Sequence, residues 1–324
     1  MERINIILEL LYENPSIWLS GEEISRKLGI SRTAVWKYIN TLRESGYNIE
    51  SSSRHGHRLI SRGNSLSEFE IKRNLQSEIF GRRELHIFDK TDSSNLQAFR
   101  IASQGAAEGS IVIAESQTSG KGRFGRRWVS PSGKNLYLSV IIRPQIPTFT
   151  APRLTLVAAV ALSETLDLLG APGHRIKWPN DILFNGKKIS GILTEMKGDC
   201  DSIDFIIIGI GVNLNSRSDD YPDEINDSII SLKEITGSEI DRIKFLNSFL
   251  LHFEKNYSNF LHGRFSEILE NWIEKSSIIN QRIKVKNHDE IFSGFVTGVT
   301  PDGNLTVQTD DGIRLVNSGD INYL

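Results

Sequence analysis

Apolar residues recur at helical spacing in three successive runs before Gly46, and then the spacing changes. The first run, Ile4 to Tyr12, stops at Asn14-Pro15, since proline lacks the amide that a helix interior needs. The second opens at Ser20-Gly21-Glu22-Glu23, where Ser20 is placed to accept from the third helical amide and Glu23 to reach back to Ser20, a capping box. It ends at Gly29, a natural left-handed stop. The third runs from Ser31, a favourable N-cap, towards Gly46. Projected at about 100° per residue, Ala34, Val35, Tyr38, Ile39 and Leu42 share one face, while Arg32, Thr33, Trp36, Lys37, Asn40 and Arg43 share the other. Two short strands follow, Tyr47–Glu50 and Arg58–Ile60, and the segment between them contains Arg54, His55 and His57 but no acid. A short turn between two helices, a polar outer face and a basic hairpin tip together predict a winged helix-turn-helix over 1–63. The cations and amides of that face suit phosphates and base edges. A small helical packing domain with a solvated face is the plain alternative. Arg62-Gly63-Asn64-Ser65 then reads as a linker, and Ser67 to Glu70 as a second capping box.

The middle of the chain alternates strands and helices. Short apolar strands are expected at His86–Phe88, Ile111–Ala114 and Leu136–Arg143, then a helix from Pro152 to Leu169 closed by Gly170. Further strands are expected at Arg175–Trp178, Ile182–Phe184, Lys188–Met196 and Phe205–Ile210. Asn185-Gly186 is a strong hairpin signal, so pairing is partly antiparallel and the sheet mixed. Two amphipathic helices, Ile240–Phe260 and Phe265–Glu274, carry no evident chemistry. After Ser276 only short strands remain, Arg282–Lys286, Ile291–Thr297, Leu305–Gln308 and Ile313–Val316, with turns at Asn287-His288-Asp289, Pro301–Asn304 and Asp310–Gly312. That pattern predicts a small β-barrel.

The 324 residues suit two or three domains. A hydrophobic share of 39% with 24% charged residues argues against wholesale disorder. A single cysteine, Cys200, excludes an internal disulfide and a cysteine metal cluster. No basic patch feeding an apolar core opens the chain and no apolar run is long enough to span a bilayer, so a cytoplasmic protein with no membrane partner is expected. The net charge is −2, yet residues 1–63 carry 9 basic and 7 acidic side chains, a skew that permits nucleic-acid binding at that end.

Three stretches carry chemistry. In Gln117 to Trp128, Gly120, Gly122 and Gly125 fit the G-x-G-x-x-G spacing, but turn and strand follow where a dinucleotide site needs a helix. What remains is a glycine-rich loop with Lys121, Arg123, Arg126 and Arg127, able to close over an anion or to stay a mobile surface loop. Lys177-Trp178-Pro179-Asn180-Asp181, with Lys188 returned by the hairpin, brings an amide, an acid and a lysine together. The lysine would stabilise a pentavalent phosphorus, and Asp181 would orient a metal ion or an incoming amine. Gly209-Ile210-Gly211-Val212-Asn213 ends a strand with two glycines, which permits close approach of a flat ring such as adenine, or simply a tight turn.

Together these blocks resemble the biotin protein ligase family, in its bifunctional ligase-repressor branch. Asp92-Ser93-Ser94-Asn95, the 117–128 loop, Ser130-Pro131-x-Gly133-x-Asn135-Leu136-Tyr137, Lys177–Asp181, Lys188-Ile189-x-Gly191-Ile192-Leu193 and Gly209-x-Gly211-Val212-Asn213 occur in the family's order. The resemblance implies an α/β (α+β) architecture: a winged helix-turn-helix at 1–63, a class II synthetase-like ligase core with a mixed sheet at 66–275, and an SH3-like β-barrel at 276–324 that assists ATP use and carrier docking. It implies that Ser93, Ser94, Asn95, Gln117, Gly120, Lys121, Gly122, Arg123, Lys188 and Gly191 bind biotin. Arg123, Arg126, Trp128, Asn180, Lys188, Gly211 and Asn213 would serve ATP and the adenylate, with Arg123, Lys188 and Asp181 as the catalytic set and no resident metal site. Arg32, Thr33, Trp36, Lys37, Asn40, Arg54, His55 and Arg58 would contact DNA. The family usually has threonine at Ser94 and arginine at Lys121, and lysine cannot hold an anion bidentately. ATP, biotin and Mg²⁺ are the implied small molecules. The implied partners are a biotin carboxyl carrier protein of a biotin-dependent carboxylase, operator DNA and a second copy of the chain. A lipoate ligase, or a biotin-sensing repressor with a decayed ligase site, are the competing readings.

Overall fold

The structure, a computed structural model, describes residues 3–63, 66–199, 201–287 and 290–324. Asn64 and Ser65 of the expected linker, Cys200, and His288 and Asp289 of one expected turn lie outside the described residues. The chain divides into two units, Met1–Phe69 and Glu70–Leu324.

The first unit contains α1 (Arg3–Glu13), α2 (Gly21–Leu28), α3 (Arg32–Glu44) and a hairpin of β1 (Asn48–Ser52) and β2 (Gly56–Ser61). Ile7, Leu11, Ile24, Val35, Ile39, Leu42, Ile49 and Leu59 close its core. Each fully buried aliphatic side chain there is worth roughly 1.5–3 kcal/mol over exposure. Ser20 caps α2 by accepting from the Glu23 amide at 3.0 Å. The second half of the expected box does not form, since the Glu23 carboxylate faces Lys27 at 3.8 Å instead. Gly29 stops α2 with φ 63°, and Ser31 caps α3. The strands are longer than expected, so the wing tip shrinks to residues 53–55 and His57 falls inside β2.

The helix α4 (Glu68–Arg73) crosses the boundary between the units. The second unit continues with β3 (Leu85–Phe88), α5 (Ser94–Ser103), β4 (Ile111–Ala114), β5 (Leu136–Ile142), α6 (Arg153–Leu168), β6 (Arg175–Lys177), β7 (Asp181–Phe184), β8 (Lys187–Gly198) and β9 (Ile203–Val212). These seven strands form one sheet in the order β3-β4-β5-β9-β8-β7-β6. Only β3 and β4 are parallel, joined through α5; every other pairing is antiparallel, so the sheet is mixed. At the β7–β8 turn Asn185 and Gly186 both have positive φ, as a primed hairpin turn demands. All seven residues of β5 are buried. Ala98 and Ala102 of α5 pack with Val112, Ile141, Phe205 and Ile207 of the sheet. These small side chains let the helix lie close to the strands.

Short helices α7 (Asp223–Asn226) and α8 (Leu232–Thr236) precede the long α9 (Arg242–Leu261) and α10 (Phe265–Ser276). The chain ends in β10 (Arg282–Lys286), β11 (Ile291–Val299), β12 (Leu305–Thr309), β13 (Gly312–Val316) and β14 (Asp320–Tyr323), an antiparallel sheet ordered β13-β12-β11-β10-β14. These strands belong to the second unit and are tied to its core. The Trp178 indole N–H donates to the Gly303 carbonyl at 3.2 Å, and Arg153 pairs with Asp302. Among the described residues no helix is long and apolar enough to cross a membrane.

Candidate active site

The N-terminal end of α5, the loop after β4, the start of β8 and the end of β9 converge on a cavity of about 140 Å³. Of the residues expected to bind small molecules, Ser93, Ser94, Asn95, Gln117, Lys121, Gly122, Arg123, Arg126, Trp128, Asn180, Asp181, Lys188, Gly191 and Gly211 line it. Gly120 and Asn213 do not. Gly120 is needed for closure of the loop on itself, because a Cβ there would meet the Trp128 carbonyl oxygen at 2.5 Å. Asn213 is buried behind the wall, donating to the Lys188 carbonyl at 3.1 Å and accepting from the Tyr221 hydroxyl at 2.9 Å.

The glycine-rich segment is a short hairpin. The Trp128 amide donates to Gly120 and the Gly122 amide to Arg126, around a tight turn at Arg123–Gly125 where Phe124 takes φ 54°. No helix follows, in keeping with rejection of the dinucleotide pattern. Its cations are held by acids and carbonyls. Lys121 lies 3.7 Å from Glu195, and Arg126 pairs with Asp320 of β14 at 2.6 Å. Arg123 donates at 3.3 Å both to the Asn180 amide oxygen and to the Gly319 carbonyl, and its guanidinium lies 4.8 Å from the Phe124 ring centroid. Burial and the neighbouring Arg126 pull the Arg123 pKa down, while Asp320 and Asp181 pull it back up. An arginine nonetheless stays cationic in a protein.

Across the cavity the Lys188 ammonium pairs with Asp181 at 2.7 Å and lies 5.3 Å from the Trp128 ring centroid. The amide, acid and lysine expected to meet therefore do meet. Asn180 is fixed on both sides, accepting from Arg123 and donating to the Ile192 carbonyl at 2.8 Å. The β9 glycines line the cavity, and the close approach they permit is used by the protein's own side chains. A Cβ on Gly211 would lie 2.4 Å from Trp128, so the flat ring seated there is the protein's own indole. A Cβ on Gly209 would lie 1.9 Å from the Asn95 amide oxygen. The Trp128 indole N–H is buried without a partner, a donor left over at the cavity wall.

The Ser94 amide donates to the Gln117 side-chain oxygen at 2.7 Å, and the Gln117 side-chain nitrogen donates to the Ser130 hydroxyl at 2.9 Å. Ser93 sits at the N-cap of α5, but its hydroxyl does not cap the helix. Asn95, expected to bind a ligand head group, lines the cavity, and its amide also donates to Leu193 and Glu195 and accepts from Ser139.

Several supporting residues were given no role by the sequence. Asn135 donates to the hydroxyls of Tyr137 and Tyr221, and Tyr137 donates to the Pro131 carbonyl. Burial raises the pKa of both phenols. Arg242 of α9 grips Glu115, just after β4, through two bonds of 2.6 and 3.0 Å. A buried pair of this kind is costly to break because it leaves one charge stranded. Asn135 and Tyr137 lie inside a recognised block without a role, whereas Glu115, Glu195, Tyr221 and Arg242 stand in stretches of ordinary composition.

In the first unit, Arg32, Thr33, Trp36 and Lys37 are exposed on α3, and Arg54 and His55 are exposed on the wing. Two expected DNA contacts are engaged within the fold. Asn40 accepts from Arg43 at 3.1 Å, and Arg58 pairs with Glu50 at 2.6 Å while stacking 4.7 Å from the Trp18 ring centroid. Arg43 itself reaches the wing, donating to Ile49 at 2.8 Å and Ser51 at 2.5 Å.

A mixed-sheet core with a cation-rich cavity, preceded by a winged helix-turn-helix, defines a ligase joined to a DNA-binding unit. Residues 87–213 match the Biotin/lipoate A/B protein ligase family, residues 3–58 an HTH domain, and residues 278–322 the Biotin protein ligase C terminal domain. The chain is 40% identical over 315 residues to the Bifunctional ligase/repressor BirA of Bacillus spizizenii, covering 97% of each. It is 31% identical over 302 residues to the Bifunctional ligase/repressor BirA of Escherichia coli, covering 93% of this chain and 92% of that one. The fold matches a biotin protein ligase from Aquifex aeolicus in complex with biotin and ATP, with a TM-score of 0.65 and 30% identity, over 74% of this chain and 98% of that one. The chain belongs to the biotin protein ligases, in the family of bifunctional ligase/repressors.

Proposed function

We propose that the protein activates biotin with ATP, transfers it to a lysine of a biotin carboxyl carrier protein, and represses transcription with the adenylate as corepressor. One observation carries the reading of chemistry: one cavity is lined both by hydroxyls and an amide, Ser93, Ser94 and Gln117, and by the cations Arg123 and Lys188. The hydroxyls and amide suit the donors and acceptors of a ureido ring. The cations suit the meeting of two anions, the biotin carboxylate and the α-phosphate of ATP. A carboxylate oxygen attacks the α-phosphorus and pyrophosphate leaves. The carrier's amine then attacks the acyl carbon of the mixed anhydride, and AMP leaves.

Each cation has an acidic or carbonyl partner that holds it in place before the ligand arrives. When Lys188 turns to the phosphate, Asp181 loses its counter-ion and becomes the better proton acceptor for the incoming amine, whose ordinary pKa is roughly 10.4. Among the described residues no group of three or more acidic, histidine or cysteine side chains could hold a metal ion. Asp181 would be the residue to hold a Mg²⁺ ion brought by the nucleotide, and the ion would supply charge neutralisation. The HTH match and the C-terminal domain favour a biotin ligase over a lipoate ligase, and Arg123 and Lys188 argue against a decayed site.

A winged unit presents one reading helix and covers a half-site, so tight operator binding calls for a homodimer on an inverted repeat. The test uses the purified full chain. Pyrophosphate release should require both biotin and ATP, lipoate should not replace biotin, and the carrier should gain the mass of one biotin. Biotin with ATP should lower the midpoint of operator binding, and unmodified carrier should reverse the shift. Absence of biotin-dependent pyrophosphate release would sink the ligase reading. Operator binding indifferent to the adenylate would sink the corepressor reading alone.

A further inference from the structure

The chemistry proposed above turns on Lys188, yet the sheet holds its backbone poorly. β9 pairs with β8 only from Ser190 onwards, starting at Val212. On the other edge a bulge interrupts the ladder: Ile182 pairs with Ser190 but Leu183 with Lys188, so Ile189 is an extra residue. A bulge of this kind re-aims the side chains beside it. Contacts from outside the ladder hold the backbone instead. The Lys188 amide donates to the Ser228 carbonyl at 2.7 Å, and its carbonyl accepts from the Ile230 amide and from the Asn213 side-chain nitrogen, each at 3.1 Å.

The Asn213 contact is the last link of a buried series. Asn135, Asn213 and Tyr221 are 0%, 2% and 7% exposed, and none of them lines the cavity. The Asn135 side-chain oxygen accepts from the Leu214 and Ser216 amides at 2.9 and 3.3 Å, which leaves its nitrogen to donate to the Tyr221 hydroxyl at 2.9 Å. The Tyr221 hydroxyl donates to the Asn213 side-chain oxygen at 2.9 Å. A hydroxyl has one proton, so the Ser216 hydroxyl, 2.8 Å from that of Tyr221, donates to it as well. Burial raises the Tyr221 pKa, and the phenol keeps its proton. With its oxygen taken by Tyr221, the Asn213 amide presents its nitrogen to the Lys188 carbonyl, which is the end that a carbonyl needs.

We propose that Asn135, Tyr221 and Asn213 are positioning residues for Lys188: they fix the backbone from which its ammonium swings between Asp181 and the reacting phosphate. The inference rests on the ligase reading, and it replaces the expected nucleotide contact of Asn213 with a supporting one. A lysine arm is a flexible four-carbon stem, so its end is only as well placed as its base. A misplacement of about 1 Å can cost up to about a hundredfold in rate. Without the Tyr221 proton the Asn213 amide is free to turn its oxygen to the Lys188 carbonyl, and two acceptors then repel. Ser228 and Ile230 still hold the backbone, so the loss is partial and falls on the aim of the lysine rather than on ligand binding.

The test measures biotin-dependent pyrophosphate release in the full chain, as kcat and as the KM of each substrate. Tyr221→Phe should lower kcat about three- to tenfold, the size of one hydrogen bond, with little change in either KM. In a Lys188→Ala background Tyr221→Phe should lower the rate no further, since the side chain being aimed is gone. Ser216→Ala removes a second partner of the same hydroxyl without breaking the path to Lys188, and its rate should stay near native. An unchanged rate in Tyr221→Phe, an equal loss in Ser216→Ala, or the same loss with and without the Lys188 amine would overturn the proposal, because a generally loosened fold lowers all of them. If Tyr221→Phe does not fold, Asn213→Ser, too short to bridge Tyr221 and Lys188, carries the same pair of measurements. A raised ATP KM as the main effect of Asn213→Ser would return Asn213 to the nucleotide and also overturn the proposal. A native chain without biotin-dependent turnover removes the ligase reading itself, an outcome distinct from native turnover that Tyr221→Phe leaves unmoved.

Discussion

The cations of the cavity and those of the reading helix belong to the same chain but live under different electrostatics. Arg123 and Lys188 each lie within 2.7–3.3 Å of an acid or carbonyl, and Arg123 is buried enough for its pKa to fall. Arg32 and Lys37 stand exposed beside Trp36, which is 56% exposed. A cation already removed from water and held in position reorganises little when an anion arrives, so its effect on a charged transition state is large. A hydrated surface cation acts mainly by releasing counterions from phosphates, and that effect is modest per residue and sensitive to salt.

The sharpest way to break this contrast is to delete a held cation. Lys188→Ala and Arg123→Ala should each lower the rate of adenylate formation about a hundredfold or more. Lys188→Ala also leaves Asp181 without its partner, so an additional loss in transfer to the carrier is expected. Single-turnover pyrophosphate release followed by carrier labelling separates the two steps. Rates within a few fold of the native protein would mean that these side chains are surface charges after all.

Smaller effects are expected on the other side. Lys37→Ala should weaken operator binding similarly for all sequences and reduce the salt slope by about one. Trp36→Ala should cost more on the operator than on unrelated DNA, about tenfold, if the indole reads a base methyl or stacks in the groove. Arg58→Ala should behave differently from both, since Arg58 is paired with Glu50 and stacked on Trp18. Its loss should loosen the wing, with little change in the salt slope. Titrations at several salt concentrations on operator and random DNA distinguish these outcomes. A salt slope that Lys37→Ala leaves intact would remove α3 from the phosphate interface.

The sequence made the elements with strong periodicity legible and left the supporting contacts hidden. α3 could be projected face by face because its apolar side chains are large, and β5 and β9 stand out as apolar runs. α5 escaped because the side chains it buries are Ser94, Asn95, Ala98 and Ala102, too small or polar to mark a helical stripe. β14 escaped because Asp320-Ile321-Asn322-Tyr323 buries only Ile321. In the cavity, most of the motif residues do share one wall. The partners that hold them were not legible: Asn95 donates to Glu195, 100 positions away, and Asn213 accepts from Tyr221, which stands in a stretch of ordinary composition. At Gly211 the sequence shows that a ring can approach, but not that Trp128 supplies one.

The smallest effect concerns His57, a buried titratable group of the first unit. Its ring nitrogen Nδ1 is 2.6 Å from the Ser51 hydroxyl, which also accepts from Arg43, and its backbone exchanges two hydrogen bonds of 2.8 Å with Leu19. Burial first, and the Arg43 charge second, lower its pKa below 6.5. The folded state therefore binds this proton less readily than the unfolded chain. The linked stability is fully present above 6.5, falls as the pH drops through 6.5 towards the lowered folded value, and levels off below it. At most one proton is involved, so the slope is shallow. Protonation would place a second positive charge beside Arg43, which ties α3 to the wing through Ile49 and Ser51. Amide exchange at Leu19 and His57 should accelerate between pH 7 and about pH 5, after correction for intrinsic exchange rates, and operator affinity should not gain the full benefit of the added positive charge. His57→Phe should flatten the exchange profile. An equal pH response in the native and His57→Phe proteins would assign the effect to other groups and leave the wing's anchor to Arg43 alone.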